Sequence, residues 1–145
     1  MPHIEIARAY FAQNFSCSQA VAAAFAADFG LDAPILLRVA APFGGGVARS
    51  GDTCGAVTGA LMVIGLQYGI IRPDPPAKER TYERAQEFMA RFRAYNGALH
   101  CRDLLGYDFS TPEGRTAIKE RKLTHTICPR LVESAVQILE EMLAV

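Results

Sequence analysis

Four cysteines are the residues of this chain best suited to chemistry: Cys17, Cys54, Cys101 and Cys128. A thiolate is both a nucleophile and a soft metal ligand, and four thiolates make the donor set of an iron–sulfur or a structural zinc site. Their spacing excludes the local forms of that chemistry. No C-x-x-C occurs, so a thioredoxin-type pair, zinc-ribbon knuckles and the clustered cysteines of common ferredoxins are all absent. With 36, 46 and 26 residues between successive cysteines, any shared site has to be assembled by the fold from separate elements.

Those elements read as helices. Strand periodicity is nearly absent, whereas helix caps recur. Residues 4 to 13 form a short amphipathic helix. Ser16-Cys17-Ser18-Gln19 is a capping box that opens a helix running to Phe29 and stopping at Gly30. Asp32-Ala33-Pro34 opens another, which ends before Pro42. Asp52 is the expected cap of a central helix over about 53–69, apolar and buried on all sides. Asp74-Pro75 starts a long helix that carries Tyr82, Ala85, Phe88, Met89, Phe92 and Tyr95 as its apolar stripe and ends at Asn96-Gly97. Its Glu79, Glu83 and Glu87, interleaved with Arg80, Arg84 and Arg91, read as a solvated charged face. A short helix over Cys101–Leu105, one capped by Thr111, and a last one opened by Cys128-Pro129 complete the chain. The expected fold is an all-α, single-domain bundle of about six to eight helices spanning residues 1–145.

On this reading every cysteine falls at or near a helix N-terminus, where unpaired N–H groups and about half a positive charge favour an anion. At an exposed site that effect is only about 0.3–1 kcal/mol, too little by itself to ionise a thiol at neutral pH. Arg49, His100, Arg102 and Arg130 lie close in sequence to three of the thiols, so depressed cysteine pKa values are expected. His125 precedes Cys128 by three residues. A free cysteine is often only a small buried hydrophobe; four of them at helix starts fit that account less well.

The segment FGGGVARSGDTCGAVTGA, residues 43–60, surrounds one of these cysteines with six glycines. It lacks both phosphate-binding patterns, G-x-x-x-x-G-K-[ST] and G-x-G-x-x-G after a strand. The glycines fit a closely approached backbone around Cys54 that leaves room for a partner sulfur or an iron–sulfur core. Gly45, Gly46, Gly55 and Gly59 are the candidate cofactor-side positions, and Gly55-x-x-x-Gly59 also allows close approach of another helix.

Composition narrows the function further. Fifteen basic and fifteen acidic residues balance to zero net charge without a basic block, which leaves no electrostatic footprint for nucleic acid. The uncharged run 54–71 is short and glycine-interrupted for a membrane span. The N-terminus has no secretory h-region, so a cytoplasmic location is expected, and in a reducing compartment cysteines are more often reactive or ligating than stapling.

A cysteine near the start, then GDTCGAVTGA, then two isolated cysteines resembles the C-GCAxxG-C-C family of redox-active proteins. CGAVTG at 54–59 carries the motif; Cys17, Cys101 and Cys128 match the other family cysteines, and the likeness covers nearly the whole chain. The resemblance implies redox activity through the cysteines, genes placed near those of transporters, and related domains joined to electron-transfer modules. Two readings follow. In the first, the four thiolates converge on an iron–sulfur cluster, [2Fe–2S], in an electron carrier, oxidoreductase or redox sensor. In the second, Cys54 is the attacking thiol of a cofactor-free thiol–disulfide system. A structural zinc site and a helical, transporter-associated interaction module are further alternatives. The redox partner is not specified, and nothing in the sequence requires a homodimer.

Overall fold

A computed structural model describes residues 2–143. Eight helices of five residues or more account for its architecture. They are α1 (His3–Ala12), α2 (Cys17–Ala24), α3 (Ala33–Ala40), α4 (Gly55–Tyr68), α5 (Pro75–Asn96), α6 (Cys101–Leu105), α7 (Pro112–Glu120) and, after the one-turn helix α8 (Leu123–Thr126), α9 (Cys128–Leu143). The all-α expectation holds, and the local signals explain why. Ser16 and Gln19 form the complete capping box of α2, the Asp74 carboxylate accepts from the Ala77 N–H ahead of α5, and the Thr111 hydroxyl accepts from the Gly114 N–H ahead of α7. Gly97, at φ 90°, ends α5 in the left-handed conformation that glycine adopts without a Cβ clash.

The helix opened by the capping box is shorter than expected. It stops at Ala24, and Ala26–Phe29 continue as a 3₁₀ turn before Gly30. This lets the Phe25 ring lie fully buried under the His3 imidazole, with the two rings stacked 4.1 Å apart. His3 is held there by Asp28, 2.7 Å from its Nε2.

Helix α4 is the axis of the molecule. It packs against α2, α5 and α9, and its Ala56, Val57, Ala60, Val63 and Ile64 are buried. Phe88 and Phe92 of α5 and Ile138 and Leu139 of α9 close the same core. Burial on all sides holds only as far as Ile64, because Gly65, Leu66 and Gln67 emerge at the surface. The crossing with α2 is close at Gly59, where an added Cβ would stand 2.6 Å from the Ser18 carbonyl oxygen. Glycine therefore sets the α2–α4 separation. Among the described residues no helix is long and apolar enough to cross a membrane.

The α5 stripe divides by depth. Phe88 and Phe92 are fully buried, while Tyr82 and Tyr95 are exposed. Glu87 pairs with Arg91 at 2.9 Å and Arg84 at 3.6 Å, which makes the charged face as read. Among the described residues β pairing is confined to an isolated antiparallel bridge, Thr53 opposite His100.

Candidate four-cysteine site

The four cysteines sit at four helix N-termini. Cys17, Cys101 and Cys128 are the first residues of α2, α6 and α9, and Cys54 is the N-cap of α4. Asp52 is therefore not the cap that the sequence suggested. Its backbone is committed elsewhere: the Asp52 carbonyl accepts from the Cys101 N–H at 2.6 Å, and its carboxylate meets Arg102 at 3.3 Å. The bridge at Thr53 then delays the start of α4 until after Cys54.

That bridge also positions two of the thiols. With Thr53 opposite His100, residues 54 and 101 point to the same face as diagonal neighbours, because side chains alternate along paired backbone. The Cys54 N–H donates to the Leu99 carbonyl at 2.8 Å and fixes the register. Cys17 and Cys128 form the second pair, placed so that the Cys17 S–H can serve the Cys128 thiolate as a donor. All four line one cavity of about 820 Å³ that opens to solvent. Cys54, Cys101 and Cys128 are buried, and Cys17 retains some exposure.

Gly45, Gly46 and Gly55 line this cavity too. A Cβ at Gly46 would stand 2.7 Å from both the Cys101 Cβ and the Asp52 backbone, and one at Gly55 would stand 3.2 Å from the Cys17 Cβ. These two glycines admit the cysteines to the cavity wall. Gly59 does not line it and instead faces α2. From Gly45 to Arg49 every residue has positive φ, three of them not glycine: Val47 at 66°, Ala48 at 51° and Arg49 at 61°. Each such residue costs roughly 1–2 kcal/mol, and strain of this kind persists where surrounding structure imposes it. Here the Val47, Ala48, Arg49, Gly51 and Asp52 N–H groups all donate to carbonyls of residues 42–46.

Burial decides the protonation states. It is the largest cause raising Cys54 to about 11 and Cys101 to about 12, the other thiols adding repulsion in both cases. The Ala56 and Val57 N–H groups, aimed at the Cys54 sulfur from the first turn of α4, pull the other way and lose. No side-chain cap hydrogen bond closes there. Cys17 is pushed up, first because its S–H donates to Cys128 and then by burial. Cys128 alone lies below its usual value, because it accepts that bond and its own backbone N–H assists. The expected general depression is thus corrected for three of the four thiols. The cations invoked for it are spent elsewhere: Arg102 on Asp52, Arg130 on the Thr126 carbonyl at 3.2 Å, and His100, an exposed side chain, 3.8 Å from Asp103. Arg49 and His125 do line the cavity.

The sequence reading missed Arg8, Phe11, Phe15 and Phe109, which also line the cavity. Phe11 had a signal in the apolar face of α1; Phe109, in a loop, had none.

Comparison with curated proteins and with solved structures found no match. The family model described as "Putative redox-active protein (C_GCAxxG_C_C)" matches residues 15–142, which include all four cysteines. The four cysteines within the matched region are the ones that the fold gathers around this cavity, and the chain belongs to that redox-active family.

Proposed function

We propose that the cavity is a redox centre in which Cys17, Cys54, Cys101 and Cys128 hold a [2Fe–2S] cluster for electron transfer or redox sensing. The observation that carries this reading is the grouping of the thiols into two pairs, Cys17 with Cys128 and Cys54 with Cys101, around one cavity. Among the described residues no three His, Cys, Asp or Glu side chains are arranged to hold a metal ion as they stand, so loading with a cluster or with zinc would alike draw the thiols together. Four cysteine donors are the ligand set of a two-iron cluster. When bound, the cluster would supply one-electron redox chemistry.

The chain's own contribution is electrostatic and steric. Four helix N-termini direct partial positive charge at the sulfurs, and among the described residues no carboxylate lines the cavity. Burial of Cys54 and Cys101 keeps water from their sulfurs. The same burial holds them protonated until a ligand replaces the protons, so loading should strengthen as pH rises.

A second reading is favoured by the Cys17–Cys128 hydrogen bond. Cys128, the thiol with the depressed pKa, would attack a partner's disulfide, releasing one partner thiolate. Cys17 would then displace the second, which leaves a Cys17–Cys128 disulfide and a reduced partner. This assigns the attack to Cys128 instead of Cys54, whose thiol stays protonated.

Anaerobic purification followed by assay of iron, acid-labile sulfide and visible absorption separates the two. The cluster reading expects iron and sulfide in equal amounts, about two of each per chain, both lost in Cys54→Ser. A protein that takes up neither on anaerobic reconstitution, yet loses two thiols to a Cys17–Cys128 disulfide under mild oxidation, would sink it in favour of the second.

A further inference from the structure

A cavity of about 820 Å³ is far larger than four sulfurs and a two-iron core need, and lies within the range of small-molecule sites. Its walls are mostly apolar. Phe11, Phe15 and Phe109, each partly buried, with Pro42 and Leu104, offer aromatic and aliphatic surface around the open side. The formal charges lining it are of one sign: Arg8 and Arg49 line it, and among the described residues no aspartate, glutamate or lysine does, the Asp108 charge reaching it only at Cys101. In a chain with equal numbers of acidic and basic residues, that segregation selects for an anion.

The arginines are not equivalent. Arg8 is paired with Glu133. Arg49 makes no ion pair or side-chain hydrogen bond among the described residues and is exposed at the rim. Its placement is specified with some force. The left-handed run 45–49 brings its stem onto Gly45: a Cβ on residue 45 would stand 2.7 Å from the Arg49 Cγ, so only glycine there leaves room for it. A planar guanidinium with no protein partner, held by strained backbone at the mouth of an apolar cavity, is suited to bidentate capture of a carboxylate.

We infer that this cavity binds a small organic monoanion, an aromatic or branched carboxylate, with its carboxylate on Arg49 and its apolar body between the phenylalanines beside the thiols. The site adjoins the proposed redox centre but does not depend on which redox chemistry operates there. The cluster's own negative charge is the competing account of the positive lining, and the test is built to separate the two.

Equilibrium dialysis measures binding of radiolabelled benzoate, phenylacetate and indole-3-acetate to the reduced metal-free protein and to the iron-reconstituted protein. Phenylacetamide serves as the neutral counterpart. At least one acid is expected to bind both forms in a one-to-one ratio, about tenfold more tightly than the amide. Arg49→Gln should remove that preference, while Arg102→Gln, whose charge lies on Asp52, should leave it intact. No retention of any acid at millimolar concentration would overturn the proposal. So would equal binding of acid and amide, or loss of binding on iron loading, which would assign the space to the cluster alone. Binding to a protein that never takes up iron would uphold this site while the cluster reading fails.

Discussion

The hydrogen bond between Cys17 and Cys128 makes a specific claim about which sulfur ionises first, and removing its donor tests it. In the metal-free reduced protein Cys128 lies below the usual thiol value because Cys17 donates to its thiolate. A hydrogen bond to a charged group contributes about 1.5–3 kcal/mol. Sulfur is a weak donor, so the lower end applies. Losing that much stabilisation of the thiolate lowers its fraction at neutral pH about tenfold. Cys17→Ala should therefore shift the midpoint of the Cys128 alkylation profile upward, and Cys17→Ser, which restores a donor, should shift it less. The assay is alkylation by iodoacetamide across pH 6–10, resolved by peptide mass. Easier access of water to Cys128 in the truncated variant would by itself move the midpoint down, so an upward shift identifies the lost donor. A midpoint unchanged in Cys17→Ala, or Cys54 reacting at lower pH than Cys128, would refute the assigned donor and acceptor.

Two further predictions concern stability. Cys54 and Cys101 hold their protons to about 11 and about 12 in the folded protein, well above an unfolded thiol at about 8.5. Their contribution is therefore fully present below about pH 8.5 and is lost as pH rises toward 11–12, by at most roughly 2–3 kcal/mol per pH unit for the pair. Urea unfolding of the metal-free protein at pH 8 and pH 10.5 should show this decline, and the Cys54→Ser, Cys101→Ser double variant, which keeps only the raised Cys17, should show a smaller one. Gly46→Ala should destabilise the protein by at least about 1–2 kcal/mol from its φ of 73° alone, with contacts at 2.7 Å to Asp52 and Cys101 adding to it. Unchanged unfolding of Gly46→Ala would mean that the loop relaxes, and would argue against a rigid cavity wall.

What was legible in the sequence was what local chemistry specifies. Ser16 with Gln19, Asp74 and Thr111 each announced a helix start, and each donates or accepts the hydrogen bond expected of it. The placement of four cysteines at four helix starts followed directly. Asp52 failed as a cap because Cys101 claims its carbonyl, a contact across 48 intervening residues that no periodicity signals. The Thr53–His100 bridge is too short to leave a strand pattern. The three non-glycine residues after Gly46 carry no mark of left-handed backbone, since valine, alanine and arginine all avoid it. The pKa directions were misread because neighbours in sequence are not neighbours in space. Arg102 and Arg130 turn to other partners, and burial, which depends on the whole fold, outweighs the helix ends.

The distribution of the cysteines over α2, α4, α6 and α9 has a consequence in chain statistics. Cys17 and Cys128 are separated by 110 residues, so the site does not exist until nearly the whole chain has closed on itself. Any covalent or coordinate link between these two sulfurs ties off a loop of that length. A loop of about 100 residues removes about 4.7 kcal/mol of unfolded-chain entropy in the loop-closure model, a substantial part of the roughly 5–15 kcal/mol that holds a domain together. The redox or ligation state of the four thiols and the persistence of the fold are thereby one thermodynamic variable, and a change in the first will be read out as resistance to unfolding.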